Sequence, residues 1–159
     1  MNRVGLGIDV HPLVAGRPLV LGGVTVPSDR GLDGHSDADV LTHAVCEALL
    51  GALALGDLGR HFPDTDPRNR GVSSLSLLQA VKGLVERRGG RLVNVDATVL
   101  AQSPRLSQFL PEMAKRLADT LDLGVDRVSV KAKSPEGLGL LGRGEGIGAM
   151  AVVAVESPA

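Results

Sequence analysis

The sequence predicts a sheet covered by helices, in an α+β or α/β arrangement, and three patterns predict it. Residues 3–10 alternate at the period of a strand, and residues 37–54 and 74–88 space apolar side chains as helices do. Strand patterns then return at 92–101, 127–133 and 147–155, so helices and strands are interleaved along the chain. Strand order is not readable from this pattern.

In the first strand, Val4, Leu6, Ile8 and Val10 take one parity and Gly5, Gly7, Asp9 and His11 the other. Alternate side chains share a face. The expectation is that the apolar set packs inward while a carboxylate and an imidazole meet on the opposite face. Gly5 and Gly7 would leave open space before that point, and Pro12 would end the strand. Residues 19–26 form a second strand or a hairpin interrupted by Gly22-Gly23, and 27–34 a loop. The helix over 37–54 takes Ser36 as its N-cap, with Asp39 three positions on in a capping-box-like arrangement. Val40, Ala44, Ala48 and Leu41, Val45, Leu49 give it a broad apolar surface. Residues 56–71 are a polar loop. The helix over 74–88 stops at Gly89-Gly90. Strand 92–101 places Val93, Val95, Ala97 and Val99 on one face, and a third helix covers about 107–121.

Composition narrows the function classes. The 159 residues suit one domain, residues 1–159, with no internal repeat or linker. At 43% hydrophobic and 22% charged the chain is ordinary globular material. Aromatics are only 1%, so the core is built from Leu, Val, Ile and Ala. Such a core favours tight helix-on-sheet packing and extra burial in an oligomer. A net charge of −1 argues against broad attraction to nucleic acid or membranes. The lone Cys46 excludes an intrachain disulfide, fits a reducing cytoplasm and reads as a packing residue. With no membrane-length apolar run and no signal-peptide block, a soluble cytoplasmic protein is expected.

Three segments carry candidate chemistry. Asp9 and His11 suit a zinc-like ion with an open coordination position. His43 lies two turns into the following helix, four residues after Asp39. Three arrangements are open: Asp9, His11 and His43 around one metal, the same three joined by Asp39, or His43 merely packed. The Asp-x-His of the strand and the preceding His35-Ser36-Asp37 favour a functional His43. Residues 56–67 form an acidic loop whose Asp, Gly and Pro serve turn chemistry, or whose carboxylates bind a cation or sugar hydroxyls. Residues 137–146 alternate glycine with other residues. They permit close backbone approach to a phosphate with Arg143 as anion partner, or close packing near a symmetry axis. They match neither a P-loop nor a dinucleotide fold. Glu136, just before them, holds a divalent cation or is simply solvated.

In order, the segments Gly5-Leu6-Gly7-Ile8-Asp9-Val10-His11, Leu21-Gly22-Gly23-Val24, His35-Ser36-Asp37-Ala38-Asp39-Val40 with His43, Gly56-Asp57-Leu58-Gly59 and Phe62-Pro63-Asp64-Thr65-Asp66-Pro67 occupy the first half. Asn94-Val95-Asp96, Ala101-Gln102-Ser103-Pro104 and Gly142-Arg143-Gly144-Glu145-Gly146 follow. Each alone is weak. As an ordered set they resemble the 2-C-methyl-D-erythritol 2,4-cyclodiphosphate synthase family across essentially the whole chain.

The resemblance implies an α+β, sandwich-like subunit, a mixed sheet with helices packed on one face, assembled as a homotrimer with sites between subunits. It implies cyclisation of 4-diphosphocytidyl-2-C-methyl-D-erythritol 2-phosphate with release of CMP. Asp9, His11 and His43 match the zinc ligands, and Glu136 the holder of a second ion, magnesium or manganese. Substrate contacts match Asp9, Val10, His11, His35, Ser36, Asp57, Leu58, Gly59, Phe62, Pro63, Asp64, Thr65, Asp66, Leu140 and Arg143. The cytidine pocket of an adjoining subunit matches Ala101, Gln102, Ser103, Pro104, Arg105, Leu106 and Ser107 with Lys133, Ser134, Pro135 and Glu136. His35 and Ser134 take the catalytic hydrogen-bonding roles. Departures include Lys133-Ser134-Pro135 where the family often has three threonines, and Arg105 where Lys is common. Ile8 and Leu140 replace aromatics that line an axial cavity able to hold an isoprenoid diphosphate. A zinc-dependent phosphate-ester hydrolase and a non-catalytic trimer binding metal or isoprenoid phosphate are the competing readings.

Overall fold

A computed structural model describes residues 1–158. Five strands form one mixed sheet in the order β4-β1-β7-β5-β6. They are β1 (Asn2–Ala15), β4 (Arg30–Leu32), β5 (Arg91–Leu100), β6 (Val128–Lys133) and β7 (Gly146–Glu156). Only β5 and β6 pair in parallel, and α4 (Leu110–Leu121) makes the crossover between them. The helices α1 (Val40–Ala52) and α3 (Ser74–Arg87) complete a layer over one sheet face, with α1 on β1 and β7, α4 on β6, and α3 against both helices. The mixed sheet with helices on one face is therefore as the sequence leads one to expect.

The face of β1 that enters the core is the reverse of the expected one. Gly5 and Gly7 are buried, whereas Val4, Leu6, Ile8 and Val10 are 50–68% exposed. The cause is close approach. A Cβ on Gly5 would stand 1.8 Å from the Ala48 carbonyl oxygen, and one on Gly7 2.0 Å from that of Ala44. The glycines leave no void: the α1 backbone fills it. Alternation on β7 matches, with Ala149, Ala151, Val153 and Val155 buried and Met150 and Val152 exposed.

Boundaries differ where side chains or pairing override local signals. Pro12 does not end β1. It pairs with Gly146, its carbonyl accepts from the Asp33 N–H, and the strand goes on to pair with β4 inside the expected loop 27–34. The N-cap of α1 is Asp39, not Ser36, and its carboxylate accepts from the Thr42 amide at 3.0 Å. The same carboxylate accepts from Gly22 and Gly23, which make the positive-φ turn between β2 (Leu19–Leu21) and β3 (Val24–Val26). The third helix starts at Leu110 rather than at about 107. The expected loop 56–71 contains a one-turn helix, α2 (Leu58–His61), and a 3₁₀ turn over Pro67–Asn69, while α5 (Gly139–Gly142) interrupts the glycine-rich segment.

The core is aliphatic, running from Leu19, Leu21 and Leu41 through Leu78 and Met113 to Leu117 and Ile147. Cys46 is fully buried, and burial, then the neighbouring Asp39 and Glu47 charges, pushes its thiol well above the ordinary range. It packs and does not react. Among the described residues no helix is long and apolar enough to cross a membrane.

Candidate metal centre and its cavity

Asp9 and His11 share the helix-facing side of β1, and His43 projects from the first turn of α1 directly over them. Asp9 Oδ2 lies 2.9 Å from His11 Nε2 and 3.0 Å from His43 Nδ1, and the two imidazole nitrogens are 3.3 Å apart. Among the described residues only these three side chains form such a group of potential metal ligands. Donor atoms around a tetrahedral zinc with bonds of about 2.0–2.1 Å stand about 3.3 Å from one another. The observed spacing is that of a site drawn in slightly.

The chemistry of the donors fits as well. His11 Nδ1 lies 2.7 Å from the Asp33 carbonyl oxygen and must be the protonated nitrogen there, so Nε2 presents a lone pair. It faces a carboxylate oxygen and a second imidazole nitrogen. Three electron-rich atoms converging at the bottom of a cleft are a natural cation seat. Burial alone pushes the Asp9 carboxyl up, but hydrogen bonds and charge from His11 and His43 more than offset it, leaving it well below the usual carboxylate range. The Asp9 hydrogen bond pushes His11 the other way, above its ordinary value, against the effect of burial.

Asp39 does not join this set. Its fully buried carboxylate is spent on Gly22, Gly23 and both Thr42 donors.

A cavity of about 260 Å³ opens above Asp9, His11 and His43. Leu58, Gly59, Phe62 and Asp64 of the expected loop 56–71 line it together with His35 and Ser36. A wider cleft of about 750 Å³ continues outward past His35, Asp64 and Thr65. The remaining expected loop residues are structural within this chain. Asp57 caps α2 through the Arg60 amide, Asp66 caps the 3₁₀ turn and pairs with Arg68, and the Pro63 carbonyl accepts from Asn69. Ser36 turns its hydroxyl inward to within 3.1 Å of His43 Nε2, and Val10 is exposed on the far side of β1.

Residues 101–107 and 133–136 lie in neither cavity. They follow the paired ends of β5 and β6, where the Ala101 N–H donates to the Lys133 carbonyl and the Gly137 N–H to Gln102 Oε1. Glu136 takes a left-handed backbone, φ 54°, its N–H donating to Ser134 Oγ, and both side chains stand exposed. Leu106 is buried in the core. Leu140 is about half exposed, and Arg143 pairs with Glu145.

Several wall residues escape sequence reasoning. Glu47, Asn69 and Leu77 line the inner cavity. Glu47 follows His43 by four positions on α1, a spacing that could have signalled it, and its carboxylate receives the Leu58 N–H at 3.0 Å. Arg17 fixes the 34–36 segment, donating to Asp33 Oδ1, the Gly34 carbonyl and the Ser36 carbonyl at 2.9–3.0 Å.

Comparison with known proteins places the chain in a family. The family model described as the YgbB family matches residues 2–156. A 2-C-methyl-D-erythritol 2,4-cyclodiphosphate synthase from Syntrophobacter fumaroxidans is 59% identical over 155 residues, covering 98% of each chain. A solved 2C-methyl-D-erythritol-2,4-cyclodiphosphate synthase, in its CDP-bound form, superposes with a TM-score of 0.89 at 39% identity, covering 97% of this chain and all of that one. The bifunctional IspDF from Campylobacter jejuni matches with a TM-score of 0.95 at 41% identity over 99% of this chain, which spans only 43% of that longer one. With fold, ordered motifs and near-complete coverage in agreement, the chain belongs to the YgbB family of 2-C-methyl-D-erythritol 2,4-cyclodiphosphate synthases.

Proposed function

We propose that this chain cyclises 4-diphosphocytidyl-2-C-methyl-D-erythritol 2-phosphate to 2-C-methyl-D-erythritol 2,4-cyclodiphosphate, releasing CMP, as a cytoplasmic step in non-mevalonate isoprenoid precursor synthesis. The convergence of Asp9, His11 and His43 at the floor of a cavity walled by residues 58–64 carries the reading. Residues 1–159 act as one domain, and zinc is the ion the three ligands hold. Glu136 would hold a second divalent ion, magnesium or manganese, which would offset phosphate charge.

In this reaction an oxygen of the 2-phosphate attacks the β-phosphorus, the bond from that phosphorus to the oxygen bridging the α-phosphate breaks, and CMP leaves. A phosphate monoester has its second pKa near ~6 and is largely ionised at neutral pH, so the nucleophile needs no strong base. The CMP phosphate leaves as a stable anion and needs no strong acid. What remains is to bring anions together and hold them in line. Zinc, when bound, supplies Lewis acidity to a phosphoryl oxygen. Leu58, Gly59 and Phe62 exclude water from the methylerythritol side. His35, at the junction of both cavities, and Ser134 donate hydrogen bonds to the transferring group.

Residues 101–107 and 133–136 serve the cytidine of a neighbouring subunit's site in a homotrimer. Their separation from the cavity within one chain supports this, as does the exposed apolar stripe of Val4, Leu6, Ile8, Val10, Met150 and Val152, which calls for a covering partner. Ile8 and Leu140 would line an axial cavity of that trimer, able to hold an isoprenoid diphosphate. Neither nucleic acid nor membrane is a partner. An Ile8→Asp variant should sediment as a smaller species than wild type; an unchanged oligomer would place the stripe outside the interface.

The direct test is incubation with the cytidine diphosphate substrate while following CMP and the phosphorylated product. Cyclisation gives CMP and a ring diphosphate in equal amounts, abolished by chelator and restored by metal. A linear product with CMP would instead establish a metal-dependent phosphate-ester hydrolase, and binding without CMP a non-catalytic protein.

A further inference from the structure

We propose that Ser74 and Asp37 are positioning residues that fix the His43 ring, orienting Nδ1 at the metal from behind. This deepens, and rests on, the reading of Asp9, His11 and His43 as a metal site.

His43 is nearly buried, with Nδ1 turned to Asp9 and His11 and Nε2 turned into the protein. There Nε2 meets two hydroxyls, Ser74 Oγ at 2.9 Å and Ser36 Oγ at 3.1 Å. A hydroxyl can donate or accept, so proximity alone does not choose the tautomer. Asp37 makes the choice. Its Oδ1 receives the Ser74 hydroxyl in a short hydrogen bond, while its Oδ2 receives the Ser74 backbone N–H at 3.0 Å. An ionised carboxylate only accepts, so the Ser74 proton is committed to it. Ser74 Oγ is left as an acceptor, and the nitrogen facing it must carry a proton. With the proton on Nε2, the lone pair of a neutral imidazole lies on Nδ1, aimed at the ion.

Ser36 cannot impose the same choice. Its oxygen already receives the Ala38 N–H at 3.1 Å, and its own proton has no anionic acceptor, with only His43 Nε2 at 3.1 Å and Ser74 Oγ at 3.4 Å in reach. Ser74 is fully buried at the start of α3, so water cannot take the place of its hydroxyl, while Asp37 behind it is partly exposed. A metal-bound histidine whose second nitrogen donates to a carboxylate is a common way of raising ligand basicity and locking ring orientation. Here a serine hydroxyl is interposed, letting α3 buttress a ligand carried by α1.

Zinc affinity, measured by competition with a chromogenic chelator, should fall about 10–100-fold in Ser74→Ala and by less in Asp37→Asn. The double variant should match Ser74→Ala alone, because Asp37 acts on the metal only through the hydroxyl. Additive losses would mean two independent structural defects and overturn the relay. Nitrogen-15 NMR of the zinc-loaded wild type, which needs no variant to fold, should show His43 protonated at Nε2 with a slowly exchanging N–H. A proton on Nδ1 would overturn it. His43→Ala distinguishes the two levels. If it leaves zinc binding intact, the metal reading itself fails; if it abolishes binding while Ser74→Ala leaves affinity unchanged, only the relay fails.

Discussion

His43→Ala should lose zinc and cyclisation together. The variant leaves Asp9 and His11, two ligands on one strand, with nothing from the helix to close the site. Loss of even an outer-shell partner weakens metal binding about 10–100-fold, so loss of a direct ligand should exceed about 100-fold. Zinc per subunit after dialysis against a zinc buffer should drop to background. CMP release should fall in proportion. The fold should survive, because His43 is outside the aliphatic core and α1 keeps its Asp39 cap, so far-UV circular dichroism should be unchanged. Full activity without bound zinc would refute the assignment of the centre.

Gly7→Ala should be comparably damaging for a different reason. The added methyl would sit 2.0 Å from the Ala44 carbonyl oxygen and 2.5 Å from the Ala48 amide nitrogen, both backbone atoms in the middle of a helix. Neither can swing aside, so β1 and α1 must part. Overpacking of this kind should cost at least about 3 kcal/mol, lowering Tm by about 6–12 °C. Zinc affinity should fall as well, since the separating elements carry Asp9 and His11 on one side and His43 on the other. Gly51→Ala, also in α1, is the contrasting case. A methyl there would meet only the Leu6 carbonyl oxygen, at 3.9 Å, and the helix gains propensity, so it should be neutral or stabilising by up to about 1 kcal/mol. Equal Tm values for the two variants would show that the strand–helix contact has slack.

Those two variants mark what was legible in the sequence. Periodicity located all three long helices and the four long strands, because each buries a regular stripe. It assigned β1 the wrong inner face because apolar residues were expected inside, whereas glycine is what permits a helix backbone to lie directly on a strand. The Asp-x-His spacing put both side chains on one face, as the structure has them, and the motif order added His43 to the candidate set. Asp39 sits on the same helix turn, and only its four buried donors distinguish a cap from a ligand. Ser74 was read simply as a helix start. Its link to Asp37 spans 37 positions and has no local signature. Apart from Glu136, read as a cation holder or a solvated residue, residues 101–107 and 133–136 were legible only as family motifs, since within this chain they line neither cavity.

The short hairpin formed by β2 and β3 contributes no side chain to the cavity, yet its glycine turn is docked on the carboxylate that begins α1. One buried carboxylate thus welds a two-stranded ribbon to the helix that bears His43. A lesion at Gly22 or Gly23 should consequently register as impaired metal retention, felt at a distance from the chemistry and transmitted through the foot of a helix.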